Sequence, residues 1–239
     1  MVNVRKFVIL LLLILTVLLP IPAYAVNHVP PIHIYCMGDS NTAASYPYFL
    51  GVLKSTSGLV INDGVSGDIT SQMLVRFADN VTSLSVPGDY VIIMGGENDC
   101  GGGLDHTIPE ANLQSIFDAA NVVGLKVVAV TIPPFKNCVY WSAARGVEAD
   151  YVSAWVRAKP SHVDYVVDIH AAVQDPADHD AINSLYDYGD HLHYNAAGYQ
   201  LIANTFYNAL WPVITSPLSS TGYAPYVTVT TLNVGNLSR

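Results

Sequence analysis

Five short apolar runs limit the folds that are open to this chain, and they cover residues 32–36, 59–61, 90–94, 126–132 and 165–169. Such runs are typical of strands that are covered on both faces in a parallel sheet. Stretches compatible with helices alternate with them, at 71–83, 109–123, 142–157 and after Asn195. This alternation predicts a three-layer α/β/α sandwich around a central, mostly parallel five-stranded sheet.

The first 25 residues have the layout of a secretory signal peptide. Arg5 and Lys6 precede an apolar run at 7–19, and Ala23-Tyr24-Ala25 provides a small-x-small cleavage site. An uncleaved membrane anchor is the alternative, but the run is short for a membrane span and prolines interrupt it at its end. We therefore expect a secreted or extracytoplasmic protein that keeps no stable membrane span after cleavage.

The remaining chain divides into two parts by composition. Residues 26–215 carry the α/β pattern, and with 51% apolar residues overall the chain is able to bury one good-sized core. Residues 216–239 are rich in Ser and Thr and contain no acidic residue. We expect one folded domain over 26–215, followed by a Ser/Thr-rich C-terminal extension over 216–239.

The charge of the chain limits which macromolecules it is expected to bind. The formal net charge is −9, and no basic patch is evident, so nucleic acid is not an expected partner.

The sequence contains three cysteines. Cys36 lies in the first apolar run and is explained as a small buried hydrophobic residue. Cys100 and Cys138 both follow predicted strand ends and form a possible disulfide outside the cytosol. The sequence leaves that pairing open.

Polar residues suited to acyl transfer follow the predicted strands or lie in loops. Gly38-Asp39-Ser40 comes directly after the first apolar run, and open α/β sheets place their chemistry at the carboxyl ends of strands. A nucleophilic serine needs a base, a group that orients the base, and donors for an oxyanion. His193 and Asp190 are the candidates for base and orienting group. The backbone N–H of Gly67 and the side-chain amide of Asn98 are the candidate donors.

Each of these fragments also has a purely structural explanation. The glycines suit turns, and Asn98-Asp99 suits a helix cap.

A metal site is a further interpretation of the sequence. Asp178-His179-Asp180, together with His191 and His193, resembles a set of metal ligands. A surface loop of an acidic protein gives the same pattern, so we expect no metal site. His191 is adjacent to the proposed base, and we expect it to point away from the serine.

Taken together, the blocks resemble the SGNH (GDSL) hydrolase superfamily. The matching blocks are Gly38-Asp39-Ser40, Asn62-x-Gly64-x-x-Gly67, Gly96-x-Asn98-Asp99 and Asp190-x-x-His193, and the similarity spans about residues 32–211. The resemblance implies a flavodoxin-like fold and a serine esterase that needs no cofactor and no metal. It implies that Ser40 attacks the ester while His193, oriented by Asp190, takes its proton. It also implies an oxyanion hole made by Ser40, Gly67 and Asn98.

The natural substrate is less constrained. Aromatic side chains near the predicted site are candidates for a substrate pocket, although packing beneath loops explains them equally well: Tyr46, Tyr48, Trp141, Tyr188 and Tyr194. Tyr194 departs from the family, in which proline or another small residue is common at that position. Predicted export and the tyrosine-rich loops fit a carbohydrate esterase that removes acetyl groups, and they fit a short-chain carboxylesterase or a lipid-directed enzyme equally well. We favour short-chain acyl esters or acetylated carbohydrate as substrates. A lysophospholipase, a thioesterase, an acyltransferase and a non-catalytic binding protein are the alternatives, and the oligomeric state stays open.

Overall fold

The computed structural model describes residues 31–54 and 58–214. The predicted signal peptide at 1–25 and the predicted extension at 216–239 lie outside these residues. Within the described ranges, no helix has the length and apolar character needed to cross a membrane.

A five-stranded parallel sheet forms the centre of the domain. Its strands are β1 (Ile34–Gly38), β2 (Val60–Gly64), β3 (Tyr90–Met94), β4 (Lys126–Val130) and β5 (Tyr165–Val167). They lie in the order β2-β1-β3-β4-β5, and all four neighbouring pairs are parallel. This confirms the predicted α/β fold with its parallel sheet, and the strand order is the flavodoxin-like one.

Helices of very different lengths connect the strands. They are α1 (Ser40–Ala43), α2 (Tyr46–Lys54), α3 (Thr70–Phe77), α4 (Glu97–Gly101), α5 (Thr107–Val122), α6 (Ala143–Arg157), α7 (Ile169–Val173) and α8 (Ala196–Ile214). A π-helical turn, Ala78–Thr82, continues α3, and a short antiparallel hairpin pairs β6 (Gln174–Asp175) with β7 (Asp178–Ile182). The sequence predicts α3, α5, α6 and α8, whereas α2 and the hairpin are additions.

Two hydrophobic cores cover the two faces of the sheet, because alternate residues of a strand point to opposite sides. Tyr35 and Met37 of β1 belong to the core that also contains side chains of α3, α5 and α6. Ile34 and Cys36 belong to the other core, with side chains of α2, α7 and α8. The sheet is therefore the middle of three layers, as the apolar runs predict.

The three cysteines all lie in the described residues, and all are free and buried. Cys100 and Cys138 pack into the same hydrophobic cluster, but no disulfide joins them. The disulfide considered from the sequence is therefore corrected to two separate thiols. Burial raises the pKa of the Cys100 thiol to about 12, so it stays protonated and unreactive at neutral pH.

The strands that carry the polar blocks end in register. Gly38 at the end of β1 lies opposite Gly64 of β2 on one side and Met94 of β3 on the other. The segments that follow these three residues therefore emerge side by side at one edge of the sheet. In open α/β folds this edge, at the point where the strand order reverses, is the usual place for a ligand.

Candidate active site

Ser40 stands at the turn between β1 and α1, half-buried at the carboxyl edge of the sheet. Asp39 caps the helix, because its Oδ1 accepts the backbone N–H of Asn41 at 3.0 Å. A side chain at Gly38 would collide with the Thr42 side chain and with the neighbouring strand β3. The turn therefore requires glycine at position 38, and it presents Ser40 as the first residue of the helix.

Hydrogen bonds join Ser40, His193 and Asp190 into a continuous chain. His193 Nε2 lies 2.9 Å from Ser40 Oγ, and His193 Nδ1 lies 2.7 Å from Asp190 Oδ2. His193 belongs to the loop before α8, so the fold brings it to a serine 153 positions earlier in the chain. In this arrangement the carboxylate can hold one ring nitrogen while the other nitrogen accepts the serine proton.

Asp190 also organises the loop that carries the histidine. Its Oδ1 accepts the backbone N–H groups of Leu192 at 3.0 Å and of His193 at 2.8 Å. Burial alone raises the pKa of the Asp190 carboxyl, but the hydrogen bonds from the His193 ring and from these two N–H groups outweigh burial and lower the pKa. The carboxylate is therefore ionised at neutral pH and fixes the orientation of the imidazole ring.

The two predicted oxyanion donors come from the ends of β2 and β3. Gly67 has a left-handed backbone, with φ of 82°, and the space where a side chain would project is open. Asn98 lies in α4, and its Nδ2 donates to the carbonyl oxygen of Asp68 at 3.0 Å. The amide of Asn98 is thus held against the Gly67 turn. An amide nitrogen carries two hydrogens, so this bond leaves the second one for a substrate oxygen.

Arg76 of α3 binds the three segments that surround this turn. Its Nε donates to Asp68 Oδ2 at 2.6 Å, its Nη1 to the carbonyl of Asp63 at 2.6 Å, and its Nη2 to the carbonyl of Gly38 at 2.8 Å. No motif considered in the sequence includes Arg76. A cation at the end of a short helix just after the glycine-rich turn is the signal that would have found it.

Burial separates the aromatic candidates. Tyr46 is fully buried and packs against Phe206, with 5.1 Å between ring centroids. Tyr194 is 2% exposed and meets Tyr199 edge to face. The prediction that Tyr46 and Tyr194 line a substrate pocket is therefore wrong. Both rings face the core beneath α8 instead of solvent.

The other three aromatic candidates reach the surface. Tyr48 is 71% exposed and Tyr188 is 73% exposed. Trp141 is half-buried, and the Lys136 ammonium lies 5.7 Å from its ring centroid. The backbone N–H of Tyr188 donates to the carbonyl of His193 at 3.0 Å, so this tyrosine belongs to the loop that carries the histidine.

Several of the side chains that resemble metal ligands in the sequence are engaged with other partners. Asp178 and Asp180 lie 2.8 and 4.0 Å from the Lys136 ammonium. His191 has a left-handed φ of 62°, and its Nδ1 pairs with Asp187 at 2.6 Å. The ring of His191 is therefore directed to a different carboxylate from that of His193.

A second group of potential ligands lies away from these residues. Within the described ranges, Asp105, His106 and Glu148 place three donor atoms within 4.8 Å of one another. His106 Nδ1 is already bonded to Glu148 at 2.8 Å, and this bond raises the pKa of His106. The hydrogen bond between His106 and Glu148 accounts for the proximity of these groups.

The chain also matches a known protein family. Residues 36–201 match the model of the GDSL-like lipase/acylhydrolase family. That range contains the serine, the histidine, the aspartate and both candidate oxyanion donors. Among curated proteins, none matches the chain significantly.

Solved structures share the fold at low sequence identity. An acetylxylan esterase from Geobacillus stearothermophilus is 19% identical, with a TM-score of 0.61 over 75% of this chain and 94% of that chain. A GDSL-like lipase from Bacteroides thetaiotaomicron is 21% identical, with a TM-score of 0.61 over 75% of this chain and 88% of that chain. A lipase/acylhydrolase from Enterococcus faecalis is 21% identical, with a TM-score of 0.60 over 74% of this chain and 94% of that chain.

Proposed function

Because this chain belongs to the GDSL-like lipase/acylhydrolase family, we propose that it is a serine esterase that forms its acyl-enzyme on Ser40. The observation that carries the proposal is the hydrogen-bonded chain from Ser40 Oγ through the His193 ring to the Asp190 carboxylate, at 2.9 and 2.7 Å. A serine hydroxyl is a weak nucleophile, and it becomes competent when an oriented base accepts its proton.

In the proposed reaction, Ser40 Oγ forms a bond to the ester carbonyl carbon while its proton moves to His193 Nε2. The carbonyl electrons move to oxygen and give a tetrahedral oxyanion. As the oxyanion collapses, the bond to the leaving alcohol breaks and His193 returns the proton to that alcohol. Water then attacks the acyl-enzyme, again through His193, and releases the acid and free Ser40. Asp190 stabilises the imidazolium that forms in both halves.

We assign the stabilisation of the oxyanion to the backbone N–H groups of Ser40 and Gly67 and to the amide of Asn98. The left-handed backbone of Gly67, at the turn after β2, supports this assignment, because glycine lets a backbone N–H approach a substrate closely. The bond from Asn98 to the Asp68 carbonyl supports it as well, since a donor fixed before reaction costs no reorganisation during it.

For the substrate we propose short-chain acyl esters, with acetylated carbohydrate as the natural class. Two observations support this choice. Tyr48 and Tyr188 present exposed aromatic rings, which suit contact with sugars. One solved structure with the same fold is an acetylxylan esterase. A lysophospholipase or thioesterase would use the same residues on longer acyl chains, and an acyltransferase would pass the acyl group to an alcohol other than water.

We also propose that the protein acts outside the cytosol, on the basis of the signal-peptide layout of residues 1–25. Expression with its own N-terminus in a secreting bacterial host tests this. Mass spectrometry of the exported protein should find a mature chain that begins near Val26. Retention of the full chain in the cell membrane would favour the uncleaved anchor.

Hydrolysis of p-nitrophenyl esters from acetate to palmitate, with Ser40→Ala in parallel, tests the proposed function. We expect activity that is highest on acetate and butyrate and is abolished by Ser40→Ala. A maximum at long chains would favour a lipid-directed enzyme, and ester formation with an added alcohol above the rate of hydrolysis would favour an acyltransferase. Absence of activity on every ester, including acetylated xylan, with a folded protein would contradict the proposal.

A further inference from the structure

A buried carboxamide joins the serine turn to the loop that carries the histidine. Asn41, directly after Ser40, is 1% exposed. Its Nδ2 donates to the carbonyl of Leu192 at 3.2 Å, across 151 positions of the chain. Leu192 is the residue before His193, so this bond links the backbone next to the base with the residue next to the nucleophile.

The orientation of the Asn41 carboxamide is fixed by its other contacts. Its Nδ2 also donates to Glu97 Oε2 at 2.9 Å, and its Oδ1 accepts the hydroxyl of Tyr199 at 3.2 Å. Both amide hydrogens and the amide oxygen therefore have partners. A flipped amide would place its oxygen against the carbonyl oxygen of Leu192, which is unfavourable because neither oxygen has a hydrogen to donate. The side chain has one stable orientation.

Glu97 is itself buried, at 5% exposure, at the beginning of α4 and directly before Asn98. Burial, reinforced by the nearby Asp39 carboxylate, raises the pKa of Glu97 well above its ordinary value. A protonated glutamic acid still accepts a hydrogen bond through its carbonyl oxygen. Glu97 Oε2 therefore accepts the hydrogen bond from Asn41 whether or not the carboxyl group is protonated.

We propose that Asn41 and Glu97 are positioning residues that keep Ser40 and His193 at hydrogen-bond distance. This inference rests on the proposed function, because it concerns the two groups that exchange a proton in that reaction. The name GDSL spells Gly-Asp-Ser-Leu, and Asn41 stands at the position of the leucine. A leucine cannot make any of the side-chain bonds of Asn41, so here a polar bridge connects the two segments.

Substitutions at both positions test the bridge. We expect Asn41→Leu and Glu97→Leu to lower kcat by about tenfold to a hundredfold with little change in KM, since small displacements of reacting groups have effects of this size. Glu97→Gln keeps a neutral acceptor and should retain most of kcat. Asn112→Leu is the matched control, because it removes a part-buried amide that bonds only Thr70 at 3.0 Å within the described residues.

A second readout does not depend on turnover. In ¹⁵N-labelled protein, the Nδ1–H proton of His193 should give a downfield NMR signal from its bond to Asp190, and Asn41→Leu should broaden or shift that signal. Wild-type kcat in Asn41→Leu together with an unchanged His193 signal would overturn the inference. If the wild-type protein hydrolyses no ester, the proposed function fails, and the NMR comparison alone still decides whether Asn41 positions the histidine.

Discussion

The Arg76 guanidinium donates to the Asp68 carboxylate over 2.6 Å, while the backbone carbonyl of Asp68 accepts the Asn98 amide at 3.0 Å. Asp68 is 7% exposed, so this pair is shielded from solvent. One aspartate therefore connects a charged side chain of α3 with a proposed oxyanion donor of α4. We therefore expect Arg76 to influence the proposed reaction through this aspartate.

Arg76→Met is expected to lower kcat by about tenfold to a hundredfold through displacement of the Gly67 turn. Arg76→Lys should retain only part of the kcat that Arg76→Met loses, because an ammonium group cannot reproduce the planar geometry in which three guanidinium nitrogens donate to three separate acceptors. The measurement is kcat and KM on p-nitrophenyl acetate. Arg157→Met removes a different arginine–aspartate pair, at 2.8 Å from Asp168, and is the control expected to keep kcat. Equal losses in both variants would contradict a specific role of Arg76.

Asn98→Ala is expected to lower kcat by about 10²–10³ without abolishing turnover, the usual result of removing one oxyanion donor. Asn98→Asp should be more severe, because an ionised carboxylate repels the developing negative charge. Steady-state kinetics on acetate esters, with circular dichroism to verify folding, measure both effects. A kcat in Asn98→Ala within twofold of the wild-type value would remove Asn98 from the oxyanion hole.

The two neighbouring histidines should behave oppositely. His193→Ala is expected to lower kcat by on the order of 10⁴ or more, since the serine loses its base. His191→Ala loses only the bond to Asp187 and should keep kcat near the wild-type value. The rate of inactivation by a fluorophosphonate reagent, which reports directly on the nucleophilicity of Ser40, distinguishes the two variants. Loss of labelling in His191→Ala with labelling retained in His193→Ala would reverse the assignment.

The buried acid Glu97 predicts a pH dependence of stability. Its pKa in the folded state is raised, so the folded protein binds more protons than the unfolded chain above the ordinary glutamate pKa of about 4.3. This contribution to stability is fully present below that value and is lost as pH rises through the folded-state pKa. Glu97→Gln removes the titration and should therefore flatten the decline in the free energy of unfolding towards alkaline pH.

Urea unfolding of the wild type and of Glu97→Gln between pH 4 and pH 9 measures this difference. Burial raises the pKa of Asp39 to about 6, so Asp39 also lowers the free energy of unfolding as pH rises. This contribution of Asp39 stays in the Glu97→Gln variant. Asp190 has a lowered pKa, so its contribution is present above the ordinary aspartate value and is lost only towards acid pH. Parallel stability curves for the two proteins above pH 5 would contradict a raised pKa of Glu97 in the folded protein.

The sheet and the polar edge were predictable because their signals are local. Each strand is a run of apolar residues, and β3 coincides with its predicted bounds. β2 extends beyond its apolar residues into Asn62-Asp63-Gly64, because pairing with β1 continues there. α2 contains Gly51 in its interior, which argues locally against a helix, whereas Pro47 lies in its first turn, where proline is tolerated. Contacts of α2 with α8 decide the structure.

The environment of the site was less predictable, since it depends on contacts between distant segments. Glu97 meets Asn41 across 56 positions of the chain, and Arg76 meets Gly38 across 38. The sequence also does not give the direction of a side chain in an irregular loop. Tyr46 and Tyr194 are close to Ser40 and His193 in the sequence, yet both turn inward, whereas Tyr188 turns outward.

The in-register ends of β1, β2 and β3 make the spacing of the proposed reacting groups a property of the sheet. Deleting one residue from β1 would move Ser40 by about 3.3 Å along the strand axis and exchange the side chains that face the two cores. Neither change can be absorbed by a loop, because Gly38 is packed between its neighbours. The segment between β4 and α6, residues 131–142, follows a strand beyond these three, whereas the segment after β5 carries Asp190 and His193 and has to keep its geometry. Altered substrate preference in this fold is therefore best sought by varying the segment between β4 and α6 while the lengths of the three strands are kept.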